Sequence, residues 1–173
     1  MGQSPSGDSF NEDGIGTVFY QGRAEFGSRF PTRRLFTTAP NRMAGCGDVL
    51  MSVRAPVGDI NVANEQCCIG RGLSAIQSKN SYQSFVLYTM LAAREQLDIF
   101  NGTGTVFGSI NKSGLENLAV YVPTEDEIAD FDRIVRPIDE QIAITSADST
   151  RLATLRDSLL PRLMSGELSI SDT

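Results

Sequence analysis

Residues 124–173 constrain the fold of this chain more than any other stretch. Thr124, with Glu127 three residues on, is a capping-box signature, and Glu125, Asp126 and Glu127 put negative charge where a helix dipole favours it. Apolar residues then recur at three- and four-residue intervals through Ile128, Phe131, Val135, Ile138 and Ile142. The stripe falters at Thr145 and Ser149, resumes at Leu152, Leu159 and Leu163, and is broken by Arg156, although Leu155 lies beside it. The spacing predicts a single helix of about 36 residues, roughly 55 Å at 1.5 Å per residue. Pro137 is expected to kink it, and Pro161 to end or bend it. A domain built from the remaining residues cannot cover so long a stripe. It must pair with another helix, from a second copy or from a longer parent chain.

Residues 1–123 read as a separate domain of different character. Short apolar runs at Thr17–Tyr20, 48–53, 60–63, 72–76 and 118–122 are separated by glycine-rich turns and are expected to be strands. Pro56-Val57-Gly58-Asp59 is a turn signal that makes the second and third of these a hairpin. One helix interrupts the pattern: Asn80 can cap it, and Tyr82, Phe85, Val86, Thr89, Met90 and Ala93 share a face that runs out near Arg94 to Leu97. A short helix around residues 113–117 is also expected. The fold class is α+β, a mixed β-rich head followed by a helical arm.

Catalytic chemistry is hard to place on this sequence. It contains no histidine, which excludes Ser/His/Asp and Cys/His arrangements and any histidine-ligated metal. Cys46 and the adjacent Cys67-Cys68 lack metal-ligand spacing and read as reduced thiols in a cytoplasmic protein. The run Gly102-Thr103-Gly104-Thr105-Val106-Phe107-Gly108 lacks the Lys-Ser/Thr of a phosphate loop, and its glycine spacing does not fit a dinucleotide fingerprint. The simpler reading is a turn that allows close backbone approach. No metal, cofactor or methyl-transfer motif is expected. No stretch approaches the roughly 20 apolar residues of a membrane span, and the start has neither the basic nor the apolar part of a signal peptide.

The net charge of −6 would argue against a nucleic-acid partner if it were spread evenly. It is not: residues 1–123 balance ten basic against ten acidic residues, so the whole excess lies on the arm. Within the head, residues 20–54 hold Arg23, Arg29, Arg33, Arg34, Arg42 and Arg54 against Glu25 and Asp48, among Tyr20, Phe26, Phe30 and Phe36. Arginine forks can bind phosphate or read guanine, and aromatic rings can stack or fill a core. The same residues also fit ordinary surface charge around a core. Arg54 and Arg71, within or beside apolar strands, are expected to meet an internal carboxylate.

Four motifs carry a family resemblance. Gly2-Gln3-Ser4-Pro5-Ser6-Gly7 with Gly16-Thr17-Val18-Phe19-Tyr20-Gln21-Gly22 opens the head. Gly47-Asp48-Val49-Leu50-Met51-Ser52-Val53-Arg54-Ala55-Pro56-Val57-Gly58 forms its centre. Residues 102–108 with Ile110-Asn111-Lys112 and Val122-Pro123 close it, and Leu155-Arg156-Asp157-Ser158-Leu159-Leu160-Pro161-Arg162-Leu163-Met164-Ser165-Gly166-Glu167-Leu168 ends the arm. In this order they resemble the specificity subunits of type I restriction-modification enzymes. The resemblance implies that the head binds one half of a split target on double-stranded DNA. It also implies that the arm pairs in an antiparallel, coiled-coil-like arrangement. The arm would carry methyltransferase subunits and, through them, the restriction subunit, and the chain itself would catalyse nothing. Members usually hold two recognition domains and two helical regions, with a stretch before the Gly-Gln-Ser-Pro motif. One of each here implies a truncated product, a fragment, or a half-subunit working as a symmetric dimer.

The residues expected to touch DNA are Gln21, Arg23, Arg29, Arg33 and Arg34, helped by the Gly102, Thr103 and Gly104 turn, with Lys112 on phosphate. Ile128, Phe131, Val135, Ile138, Ile142, Leu152, Leu159 and Leu163 are expected to face a partner helix. Two alternatives remain: an enzyme with nuclease or methyltransferase activity of its own, and a coiled-coil module whose head binds protein.

Overall fold

A computed structural model describes residues 1–102 and 108–168. Eight strands come first: β1 (Phe10–Asn11), β2 (Thr17–Tyr20), β3 (Leu35–Thr37), β4 (Met43–Ala44), β5 (Val49–Ser52), β6 (Ile60–Val62), β7 (Cys67–Ile69) and β8 (Leu73–Ile76). The helices α1 (Gln83–Ala92), α2 (Arg94–Asp98), α3 (Lys112–Glu116) and α4 (Glu125–Met164) follow. The strands form a mixed five-stranded sheet, β1-β3-β2-β7-β4, and an antiparallel three-stranded sheet, β6-β5-β8. In the first sheet β2 and β7 are parallel, pairing Phe19 with Cys68 and Tyr20 with Ile69.

Every residue of β5 is buried, because two-residue alternation gives this central strand two covered faces. Leu50 joins Val18, Tyr20, Ala44, Cys67, Ile69 and Leu73 in a core shared by the two sheets. Val49, Met51 and Val53 face the other way, against Leu87, Met90, Leu97 and Ile110. The head is therefore layered: sheet, sheet, helices. The β5–β6 turn contains the cis Ala55–Pro56 bond and Gly58 at φ +91°. A Cβ on Gly58 would lie 2.8 Å from Leu97 Cβ, so the turn packs directly on α2.

The α+β class holds, with local corrections. Residues 118–122 form no strand; Tyr121 and Val122 are exposed, at 81% and 67%. Asn80 does not cap α1. Ser78 Oγ accepts from the Tyr82 N–H at 3.0 Å, and Gln83 Oε1 accepts from the Ser78 N–H at 2.9 Å, satisfying the helix start reciprocally. Asn111 caps α3 by accepting from the Gly114 N–H at 2.8 Å.

The chain divides into two compact units, Met1–Arg133 and Ile134–Thr173. The capping box at the start of α4 forms: the Thr124 N–H donates to Glu127 Oε2 at 2.9 Å, and the Glu127 N–H to Thr124 Oγ1 at 3.4 Å. The hydrogen bonds from Thr124 hold the Glu127 carboxyl below the usual carboxylate range. Pro161 does not end α4, which runs to Met164 and stops where Gly166 turns left-handed at φ +75°.

Candidate nucleic-acid interface

The arginine segment leaves β2 and returns through β3 as a loop fixed by its own backbone. The Phe26 N–H donates to the Arg23 carbonyl at 2.9 Å, the Gly27 N–H to Phe30 at 3.2 Å and the Thr32 N–H to Glu25 at 2.8 Å. Asn61 of β6, 2% exposed, clamps it. Its Oδ1 accepts from the Gly27 N–H at 3.1 Å, and its amide donates to the Gly27 carbonyl at 3.0 Å and to its neighbour Ile60 at 2.8 Å. The Val62 N–H adds a bond to the Arg29 carbonyl at 2.9 Å. Such a loop presents side chains in fixed positions.

The predicted arginines are not bare charge. Arg23 pairs with Asp59 at 2.6 Å, and Asp59 also takes Arg94 at 3.1 Å. Arg33 forks onto Glu65, with Nη2 2.8 Å from Oε2, and that hydrogen bond raises its pKa. Arg34 Nη2 is 2.6 Å from Oε1 of Glu25, whose side chain is buried, and Arg34 Nη1 is 3.6 Å from Glu12. Arg29 lies over the Tyr88 ring, 5.6 Å from its centroid. The folded chain thus brings Glu12, Asp59 and Glu65 to a segment whose local sequence is strongly basic. The guanidinium side chains of Arg23, Arg33 and Arg34 nevertheless stay more than half exposed, each oriented by its carboxylate.

Gln21 is exposed at the end of β2, and its carbonyl accepts the Gly72 N–H at 3.1 Å. Lys112 starts α3, exposed, with its Nζ 3.5 Å from Glu116. Gly102 sits at φ +73°, while Thr103 and Gly104 lie outside the described residues. The expectation of internal carboxylates for Arg54 and Arg71 is overturned. Both are exposed, and neither has an ion pair among the described residues; the same is true of Arg42. The Met1 ammonium is held below its usual pKa by burial first, and then by the charges of Arg42 and Lys112.

Two buried groups border the loop. Tyr20 is buried, and burial pushes its hydroxyl pKa up; that hydroxyl and Glu25 Oε2 have no hydrogen-bond partner among the described residues. Burial likewise pushes the Cys67 thiol up to about 12. No group of three or more metal-binding side chains occurs among the described residues, and no described helix is long and apolar enough to cross a membrane.

On α4, Phe131 meets Phe85 and Tyr88 of α1 edge-on, with centroids 6.2 and 5.9 Å apart. This predicted partner-helix residue is engaged within its own unit. Ile128, Val135 and Leu159 are half-buried, whereas Ile138, Ile142, Leu152 and Leu163 are exposed, at 37–63%. Ile134, Ile144, Leu155, Leu160 and Met164 extend the exposed apolar set.

The family described as "Type I restriction modification DNA specificity domain" matches residues 43–152, from β4 well into α4. The chain belongs to this specificity-domain family. A type I restriction enzyme MjaX specificity subunit from Methanocaldococcus jannaschii is 34% identical over 171 residues, covering 98% of this chain and 40% of the relative. Among solved structures, the HsdS subunit from Thermoanaerobacter tengcongensis is similar at 35% identity and a TM-score of 0.67, over 97% of this chain and 42% of that one. A type I system S subunit from M. genitalium, 17% identical with a TM-score of 0.67 over 95% and 42%, shares the fold. The chain therefore spans about two-fifths of the specificity subunits it matches. Arg54, Arg71 and Lys112 fall inside the matched specificity-domain span; Gln21 and the arginines from Arg23 to Arg34 precede it.

Proposed function

We propose that the head reads one half of a two-part target on double-stranded DNA, as part of a type I specificity subunit in the cytoplasm. The arm pairs with a second helix, antiparallel, and docks methyltransferase subunits and through them the restriction subunit. The chain itself orients partners on DNA and catalyses no step. Membership of the specificity-domain family carries this reading; the oriented arginines and the exposed stripe of α4 agree with it. Within the head, Gln21, Arg23, Arg29, Arg33 and Arg34 face the DNA, with Gly102, Thr103 and Gly104 near the backbone and Lys112 on phosphate. An arginine held by a carboxylate presents its remaining N–H groups at a fixed angle, which suits a directional contact to a base edge or phosphate.

The test is fluorescence anisotropy of the chain with labelled duplexes over a salt series, comparing Arg33→Glu/Arg34→Glu with the parent. Loss of Arg34 strands the buried Glu25 carboxylate, so both proteins carry Glu25→Gln. Binding that weakens with salt, and by about tenfold or more in the variant, supports the assignment. Unchanged affinity overturns the choice of face. A parent that binds no duplex at any salt favours a head that binds protein.

A further inference from the structure

The arginines from Arg23 to Arg34 are all engaged by their own chain, whereas Arg42, Arg54 and Arg71 are exposed and have no ion pair among the described residues. The topology gathers these three at one end of the two sheets. Arg54 follows β5 and Arg71 precedes β8. The register that pairs Ser52 with Leu73 continues through a 2.9 Å bond from the Val53 N–H to the Gly72 carbonyl, so Arg54, bridged on its other side to Ser109, leaves β5 beside the turn that carries Arg71. Arg42 precedes β4, and its carbonyl accepts the Ile69 N–H at 2.8 Å, two residues before Arg71. Ser4 ties the two segments together: its hydroxyl accepts the Arg71 N–H at 3.2 Å, and its carbonyl accepts the Asn41 amide at 3.5 Å.

The turn that carries Arg71 is built for close approach. A Cβ on Gly70 would stand 2.8 Å from Gln21 Cα, and one on Gly72 would stand 2.7 Å from the Gln21 carbonyl oxygen. Only glycines allow the turn to sit against the end of β2, with Arg71 between them and Gln21 alongside.

We propose that Arg42, Arg54 and Arg71 form a clamp for the phosphate backbone of duplex DNA at this end of the two sheets, next to Gln21. The inference rests on the DNA-reading function above. An arginine already paired with a carboxylate exchanges one anion for another on meeting phosphate. A free one neutralises a phosphate outright and releases its counterion. The clamp therefore supplies most of the salt-dependent grip, and the carboxylate-held arginines supply direction.

The experiment measures affinity of the full chain for a labelled mixed-sequence duplex between 50 and 200 mM salt. Each phosphate contact contributes about 0.9 to the slope of log affinity against log salt, so the variant Arg42→Gln/Arg54→Gln/Arg71→Gln is expected to have a slope smaller by about 2.7. Over that range the parent then loses about 40-fold more affinity than the variant. Lysines at the same three positions retain the parent slope. Lys79→Gln, an exposed cation beyond the opposite end of β8, also leaves it unchanged. If the triple glutamine variant unfolds, the single variants replace it, each with a slope smaller by about 0.9. An unaltered slope in a parent that binds DNA overturns the clamp and leaves the DNA-reading function standing. Equal losses in the triple variant and in Lys79→Gln also overturn it, since attraction is then diffuse. No binding by the parent removes both.

Discussion

Replacing Asn61 with alanine is expected to release the arginine loop. The Asn61 side chain makes three hydrogen bonds, two to Gly27 and one to Ile60, at 2.8–3.1 Å from a site 2% exposed. Each is worth about 0.5–1.5 kcal/mol net, and the carbonyl of the exposed Gly27 can turn to water once the amide is gone. The Gly27 N–H keeps its bond to Phe30, which limits the loss. The expected cost is about 3 kcal/mol. With a urea m-value of about 2 kcal/mol/M, the unfolding midpoint falls by about 1.5 M with m unchanged. Hydrogen exchange adds a local readout: the Phe26, Gly27 and Thr32 amides, which close the loop, are expected to accelerate more than those of β5, which both cores bury. Asn61→Asp is expected to be worse than alanine at neutral pH, because it sets a carboxylate against two carbonyl oxygens. A cost below about 0.5 kcal/mol for the alanine variant, with loop exchange unaltered, refutes the clamp.

Further outcomes are open to direct measurement. Phe131→Ala removes two edge-on ring contacts and a half-buried ring, so it is expected to destabilise the head by about 2–3 kcal/mol in urea unfolding. Cys46 is exposed and is expected to react with a thiol reagent at once, whereas Cys67 and Cys68 are buried and react only on unfolding; three fast thiols contradict the packing of β7. Because the folded Glu127 pKa lies below its unfolded value, its capping contribution is present above the unfolded pKa. It is lost as pH falls through the folded one, so Thr124→Ala is expected to flatten the acid limb of helix stability followed by circular dichroism. The exposed stripe of α4 predicts self-association at micromolar concentration, and a monomer by light scattering contradicts pairing between copies.

The sequence revealed most where periodicity was strong. The stripe and capping box of α4, the apolar run of β5 and the β5–β6 turn were legible because each rests on neighbours within a few residues. The two-residue strands β1 and β4 are too short to show a period, and Cys67-Cys68-Ile69 is buried throughout, so it never alternates. Residues 118–122 have strand-like composition, but no strand among the described residues pairs with them. The site was legible as an arginine-rich loop and not as an ion-pair pattern. Glu65 meets Arg33 across 32 residues, and nothing local announces that Asp59 serves both Arg23 and Arg94. For the same reason the free arginines emerged only in the fold, where Arg54 and Arg71 stand at neighbouring ends of β5 and β8, neither with an ion pair among the described residues.

The most direct measurement of the central claim is selection from a random duplex pool. The chain is incubated with duplexes randomised over about two helical turns, and bound DNA is recovered and sequenced over several rounds. A head that reads half of a two-part target is predicted to enrich one short contiguous motif, or two inverted copies at fixed spacing when paired arms bring two heads together. Recovery of an unenriched pool, or of no DNA, contradicts the account.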